Sequence, residues 1–213
     1  MSGTLNLLIG VAMGLNLLAL GSHRLQVLIR AVAVQGVIMG AMPIVMESHL
    51  EWHVVLVAIV TALIKGVLIP LLLRRAIREA KIDREIEPFL GFLPSLLLGA
   101  VGTICAVAVA QMLPLLPEHA GTLLVPGALA SVLTGFVLLI GRAKAISQVC
   151  GYLILENGIY LFGLLLLQAM PLLVEAGILL DLTVGVFVIG IIVDRIQRAF
   201  DSLDTRKLTV LRE

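Results

Sequence analysis

Charge is scarce in this sequence, and the scarcity excludes most soluble folds. Only 14% of the 213 residues are Asp, Glu, Lys or Arg, while 60% are hydrophobic, well above the roughly 45 to 50% apolar content of soluble domains. A water-soluble fold of this size could not hide so much apolar surface. Cysteine is nearly absent. Cys105 and Cys150 lie in or beside apolar runs without C-x-x-C spacing, so buried thiols are expected in preference to a redox or metal role. No Gly-rich phosphate loop, nucleophile triad, haem motif or iron–sulfur cysteine set occurs, and no catalytic residue or cofactor is assigned to this chain. The net charge of +1 is divided among short loops and gives no sign of a nucleic-acid partner.

What the sequence has in abundance is long apolar runs. A helix needs about 20 apolar residues to cross a bilayer core. Seven such stretches are predicted: Gly3–Gly21, Leu25–Met46, His53–Leu73, Phe89–Leu113, Leu123–Ile140, Cys150–Met170 and Glu175–Val193. The expected fold is therefore an all-α integral membrane protein of about seven transmembrane helices. Met1–Thr4 lacks the basic segment of a secretory signal, so the first helix is expected to be retained as an anchor.

The distribution of Lys and Arg orients the spans. Arg24, the group Arg74, Arg75, Arg78, Lys81 and Arg84, then Arg142 and Lys144, and finally Arg195, Arg198, Arg206, Lys207 and Arg212 fall on one side, 13 of the 15 basic residues. The opposite loops carry Glu47, Glu51, Glu118 and Glu175. The positive-inside rule makes the basic side cytoplasmic, with the amino terminus outside and the carboxyl terminus inside. A multi-pass protein of the inner (plasma) membrane is expected. Residues 1–113 form an amino-terminal four-helix region containing a cytoplasmic linker, 74–88. Residues 114–194 form a three-helix region, and 195–213 a cytoplasmic tail. The linker has Arg75/Glu79 and Lys81/Glu85 spaced four apart, which suits either a solvated helix or a docking element for another subunit.

Four ionisable residues fall inside predicted spans: Arg30, Lys65, Glu156 and Asp181. Each costs on the order of 2.5 to 3.5 kcal/mol at mid-membrane unless it finds a partner, water or the interface. Arg30 is six residues past Arg24, only about 9 Å inside, and serves equally well as a snorkelling anchor or a functional group. Lys65 lies nine residues from Arg74, about 13 to 14 Å deep, where snorkelling strains even a long side chain. It is either a structural lysine paired to a neighbouring helix or part of a site. Glu156, in Gly151-Tyr-Leu-Ile-Leu-Glu156-Asn157-Gly158, is flanked by small and amide residues that admit a second helix and water. Asp181 lies too far from Asp194 for a short side chain to reach cytoplasmic water. Glu156, Asp181 and Lys65 are the proton-relay candidates, with interhelical pairing as the structural alternative. Pro70 and Pro94 lie inside predicted spans, where they can free backbone carbonyls, and Pro126 can shorten the fifth span. His49 and His53, beside Glu47 and Glu51, have a metal-compatible spacing. An outer loop with Trp52 at the headgroup level is the preferred reading, and no metal site is assigned.

A family resemblance emerges from these residues. Leu138-Leu-Ile-Gly-Arg142-Ala-Lys144 followed by Gly151-Tyr-Leu-Ile-Leu-Glu156-Asn157 resembles the three-helix K-type subunit of respiratory complex I and the C-type subunit of Mrp antiporters. Asp181-Leu-Thr-Val-Gly185 looks like the second acidic element of those families, with Asp in place of Glu. Four helices in front of this region, together with Glu156-Asn-Gly-Ile-Tyr-Leu-Phe-Gly163, are similar to hydrogenase-4 component E. The resemblance implies a noncatalytic proton-translocation subunit in the membrane arm of a complex I-like, group 4 [NiFe] hydrogenase, with Glu156 as first relay carboxylate and Asp181 as second. Lys65 and Arg30 fall outside the matched region. Implied partners are antiporter-like membrane subunits, an H-subunit-like membrane anchor, and cytoplasmic hydrogenase and iron–sulfur subunits that carry the NiFe centre and the clusters. A scaffold subunit of that arm and a subunit of a Mrp-type cation/proton antiporter are the alternatives.

Overall fold

The computed structural model describes residues 2–46, 52–80, 88–114 and 121–165, with Gly177 and Gly190 as isolated positions. Every regular element among the described residues is helical: α1 Ser2–Gly21, α2 Leu25–Met46, α3 Trp52–Leu63, a π-helical turn Ile64–Leu68, α4 Ile69–Ala80, α5 Phe92–Met112, α6 Leu124–Gly141 and α7 Ala145–Leu165. The helices α3 and α4 continue each other through the π turn, because Leu63 and Ile69 on its two flanks both keep right-handed helical backbone angles. Among the described residues six helices are thus long and apolar enough to cross a membrane: Gly3–Gly21, Leu25–Met46, Val54–Arg78, Phe92–Met112, Leu124–Gly141 and Ala145–Leu165. The seventh expected span, Glu175–Val193, lies outside the described residues apart from Gly177 and Gly190, and Asp181 within it lies outside them, as do residues 81–87 of the linker and His49 of the expected outer loop.

The ends of three helices bear on the expected boundaries. The third span runs on as helix to Ala80, so Arg74, Arg75 and Arg78, the first basic residues of the expected linker 74–88, are helical. Pro94, expected to free a backbone carbonyl, leaves that of Leu90 four residues back to accept from the Arg142 guanidinium. It sits in the first turn of α5, where its missing N–H has no intrahelical acceptor to lose, and Pro126 occupies the same place in α6.

The ends of the helices are stitched at both faces. On the outer side the Asn6 side chain near the start of α1 donates to the Gly121 carbonyl at 3.2 Å and accepts from the Leu123 N–H at 2.8 Å. It thereby satisfies a backbone donor at the start of α6, where Leu123 offers no side-chain cap of its own. On the basic side Arg142 closes α6. Its guanidinium donates to the carbonyls of Leu20 at the end of α1 and Leu90 ahead of α5, and stacks 4.4 Å from the Phe92 ring centroid. Arg142 is 2% exposed, so it is a clamp among main-chain acceptors rather than the wet loop residue that its position suggests.

Between these faces the interior is layered. One apolar cluster joins Ala19, Leu20, Leu25, Leu28, Leu73, Leu138 and Ile154 on the basic side. A second joins Leu5, Ile9, Met39, Met42, Leu124 and Leu161 on the other. Between them, each helix that contributes to both clusters places buried polar residues: Asn16 on α1, Gln35 on α2, Ser131 and Thr134 on α6, Glu156 and Asn157 on α7. Lys65 on the π turn lies at the same level. The polar layer is therefore an in-plane slab with hydrocarbon-like packing above and below.

Candidate functional site

Helix α2 and the π turn come together because position 36 has no side chain. A Cβ on Gly36 would stand 2.7 Å from the Lys65 carbonyl carbon, so only glycine permits this backbone approach. The π turn itself shifts the hydrogen-bond register, with the Ile69 N–H bonded to the Ile64 carbonyl five residues back. Pro70, which has no N–H to donate, follows immediately. Such turns re-aim one side chain within an otherwise continuous helix, and here the re-aimed residue is Lys65. On the facing helix a Cβ on Gly158 would lie 2.7 Å from the Val132 amide nitrogen, so α7 presses against α6 next to Asn157.

Lys65 and Glu156 meet in this layer. The Lys65 Nζ lies 3.6 Å from Glu156 Oε1, 3.4 Å from Asn157 Oδ1 and 5.8 Å from the centroid of the Tyr160 ring. The residues are only 5% and 7% exposed, so the charges face each other with little solvent between them, a geometry in which Coulomb attraction is strong and desolvation is costly. From Asn157 the hydrogen bonds continue across the bundle. Asn157 Nδ2 donates to Gln35 Oε1 at 3.3 Å, Gln35 Nε2 to Asn16 Oδ1 at 2.8 Å, and Asn16 Nδ2 to Ser131 Oγ at 3.0 Å. Gln35 Nε2 also donates to the Ala12 carbonyl at 3.3 Å. One chain of polar contacts thus links the π turn to α7, α2, α1 and α6.

Chemically, an ammonium against a carboxylate can hold a charge pair or exchange a proton, and the surrounding amides can stabilise either arrangement without titrating. No group of three His, Cys, Asp or Glu that could hold a metal occurs among the described residues. Cys105 is exposed on α5 and Cys150 is buried at the α6–α7 contact, both as free thiols.

No family model matches the chain, and no solved structure matches it. Curated sequences do. Over 191 residues it is 34% identical to the uncharacterized protein Rv0085 of Mycobacterium tuberculosis, covering 89% of this chain and 87% of that one. Over 150 residues it is 30% identical to hydrogenase-4 component E of Escherichia coli K12, covering 70% of this chain and 68% of that one. The chain belongs to the hydrogenase-4 component E family.

In this component E chain the structure brings together two of the four ionisable residues singled out from the sequence. Lys65 and Glu156 pair. Arg30 is exposed on α2 and makes no hydrogen bond or ion pair among the described residues. Asp181 lies outside the described residues. Sequence reasoning missed Asn16, Gln35 and Ser131, which complete the network, because it searched apolar runs for charge. The available signal was weaker: single amides in otherwise apolar helices, whose burial without a partner also costs several kcal/mol in hydrocarbon.

Proposed function

We propose that this chain is a noncatalytic subunit in the membrane arm of a membrane-bound hydrogenase complex, and that the Lys65–Glu156 pair carries a step of proton translocation. The observation that carries the reading is the 3.6 Å contact between the two groups at the middle of their spans, in a polar layer between two apolar clusters. Membership in the component E family supports the placement in such a complex. A pair of this kind responds to a neighbouring charge: when a charge arrives or leaves nearby, the balance between the paired and the proton-transferred state changes. Asp181 would continue the relay on the seventh span. Redox chemistry would belong to cytoplasmic hydrogenase and iron–sulfur subunits, which supply the NiFe centre and the clusters. Antiporter-like and H-subunit-like membrane chains would be the lateral neighbours, with the complex in the inner membrane.

The test is Glu156→Gln in the assembled complex. Charge movement driven by redox turnover in membrane vesicles should stop or slow by at least about tenfold, with the complex still assembled. Wild-type charge movement in an assembled Glu156→Gln complex would remove this residue from the relay.

A scaffold reading has one observation in its favour. The amide chain bonds α7, α2, α1 and α6 directly, which is what a purely structural network does. On that reading, Glu156→Gln and Lys65→Met lower the amount of assembled complex, and the charge moved per turnover by what remains is unchanged.

A further inference from the structure

The hydrogen-bond chain in the polar layer has a single direction, and one main-chain atom sets it. A backbone carbonyl can only accept. The Ala12 carbonyl therefore requires that Gln35 present its Nε2, and the same nitrogen spends its second hydrogen on Asn16 Oδ1. The Gln35 oxygen is left facing α7, and Asn157 meets it with Nδ2 at 3.3 Å. The remaining polar atom of Asn157, Oδ1, then points at Lys65 Nζ. On the other side Asn16 has its oxygen engaged by Gln35 and offers Nδ2 to Ser131 Oγ. Every amide hands a hydrogen away from Lys65, and every amide oxygen faces toward it.

We propose that Gln35 is the positioning residue of the Lys65–Glu156 pair: pinned by the Ala12 carbonyl, it turns the Asn157 oxygen onto Lys65 and commits the lysine to donate. This rests on the relay reading given above and names a residue that does not itself touch the carboxylate. A lysine that had given up its proton would keep two N–H groups for the Asn157 oxygen but donate more weakly than the ammonium, and its lone pair could accept from Asn157 only if that amide rotated. Rotation would set the Asn157 oxygen against the Gln35 oxygen, and Gln35 could not follow without turning its own oxygen onto both the Ala12 carbonyl oxygen and Asn16 Oδ1. Rotation of Asn157 is therefore resisted by Gln35 on the neighbouring helix and, through it, by Ala12 on α1, and the arrangement favours the protonated lysine. A scaffold needs the bonds but not their direction, so the two roles separate experimentally.

The experiment measures redox-driven charge movement and its pH profile in membrane vesicles carrying the assembled complex, with Gln35→Met, Asn16→Leu and Glu156→Gln compared. Gln35→Met should slow charge movement about tenfold, the size of one hydrogen bond, and displace the pH profile by on the order of one unit. Asn16→Leu should give a smaller loss, about twofold, because the Ala12 carbonyl still holds Gln35. The positioning role is overturned if Glu156→Gln stops charge movement while Gln35→Met leaves both rate and pH profile at wild type. It is equally overturned if Asn16→Leu is as damaging as Gln35→Met, since the direction would then be set from the Ser131 end. If Glu156→Gln itself changes nothing, the relay reading falls and the positioning role falls with it. Should Gln35→Met fail to assemble, Asn157→Leu asks the same question from the other end, and wild-type charge movement there overturns the proposal.

Discussion

Gly36 lies directly against the backbone of Lys65, so close that a Cβ at position 36 would stand 2.8 Å from the Lys65 carbonyl oxygen. The π turn that aims the lysine inward is therefore held in place by an absent side chain on α2. Gly36→Ala should push the two helices apart and destabilise the protein by about 1 to 3 kcal/mol, the usual penalty for overpacking. Gly10→Ala is the control, because nothing lies within 4 Å of a Cβ there and removing a helical glycine stabilises by about 0.5 to 1 kcal/mol. Thermal unfolding in detergent distinguishes the two, and equal midpoints would show that the close approach is not rigid.

Breaking the buried pair from one side should harm stability more than removing it altogether. Lys65→Met leaves Glu156 without its 3.6 Å counter-ion, and a buried charge stripped of its partner costs about 3 to 5 kcal/mol. The double variant Lys65→Met with Glu156→Gln should recover most of that loss, because no unpaired charge remains, while charge movement stays absent. Quantifying assembled protein and its thermal midpoint for the two single variants and the double variant checks this. An additive double variant would mean that the two residues do not interact.

Arg142 should not tolerate conversion to lysine. The guanidinium reaches the Leu20 and Leu90 carbonyls from separate nitrogens while its carbon lies over the Phe92 ring, a geometry that a single ammonium cannot reproduce. Arg142→Lys should cost about 2 to 3 kcal/mol, the value of hydrogen bonds to a charged group, and lower the unfolding midpoint although the charge is kept. An unchanged midpoint would reduce Arg142 to an ordinary positive-inside residue.

The outer face has a smaller clamp. Asn6→Ala removes the acceptor of the Leu123 N–H and the donor to the Gly121 carbonyl, and should cost about 1 kcal/mol, as a lost helix cap does. The local readout is hydrogen exchange at the first turn of α6, which should quicken, with exchange at the basic end of that helix unaffected.

Much of the fold was legible because bilayer thickness imposes a length on every apolar run, and six of the seven predicted spans correspond to described helices. Lys65 and Glu156 stood out because a charge in such a run demands an explanation. Their proximity was not legible: Lys65 and its acceptor Asn157 are 92 positions apart, and no periodicity within one helix reports which neighbour it faces. Asn16 and Gln35 escaped notice because an amide interrupts hydropathy less than a charge does, although their mutual bond at 2.8 Å is the shortest in the polar chain. The burial of Arg142 was not legible either. The positive-inside rule counts charges near helix ends without regard to carbonyls, and at this helix end unsatisfied carbonyls were within reach.

The two apolar clusters act as electrical insulation. The voltage across a membrane falls mainly through material that holds no mobile charge, so within the described helices it is dropped over the layers of Leu, Ile and Met on either side of the polar slab. A charge displaced from either surface to Lys65 and Glu156 crosses roughly half of that field, on the order of 1 kcal/mol for each 100 mV. On the proposed relay, the site's depth alone would couple it to the membrane potential.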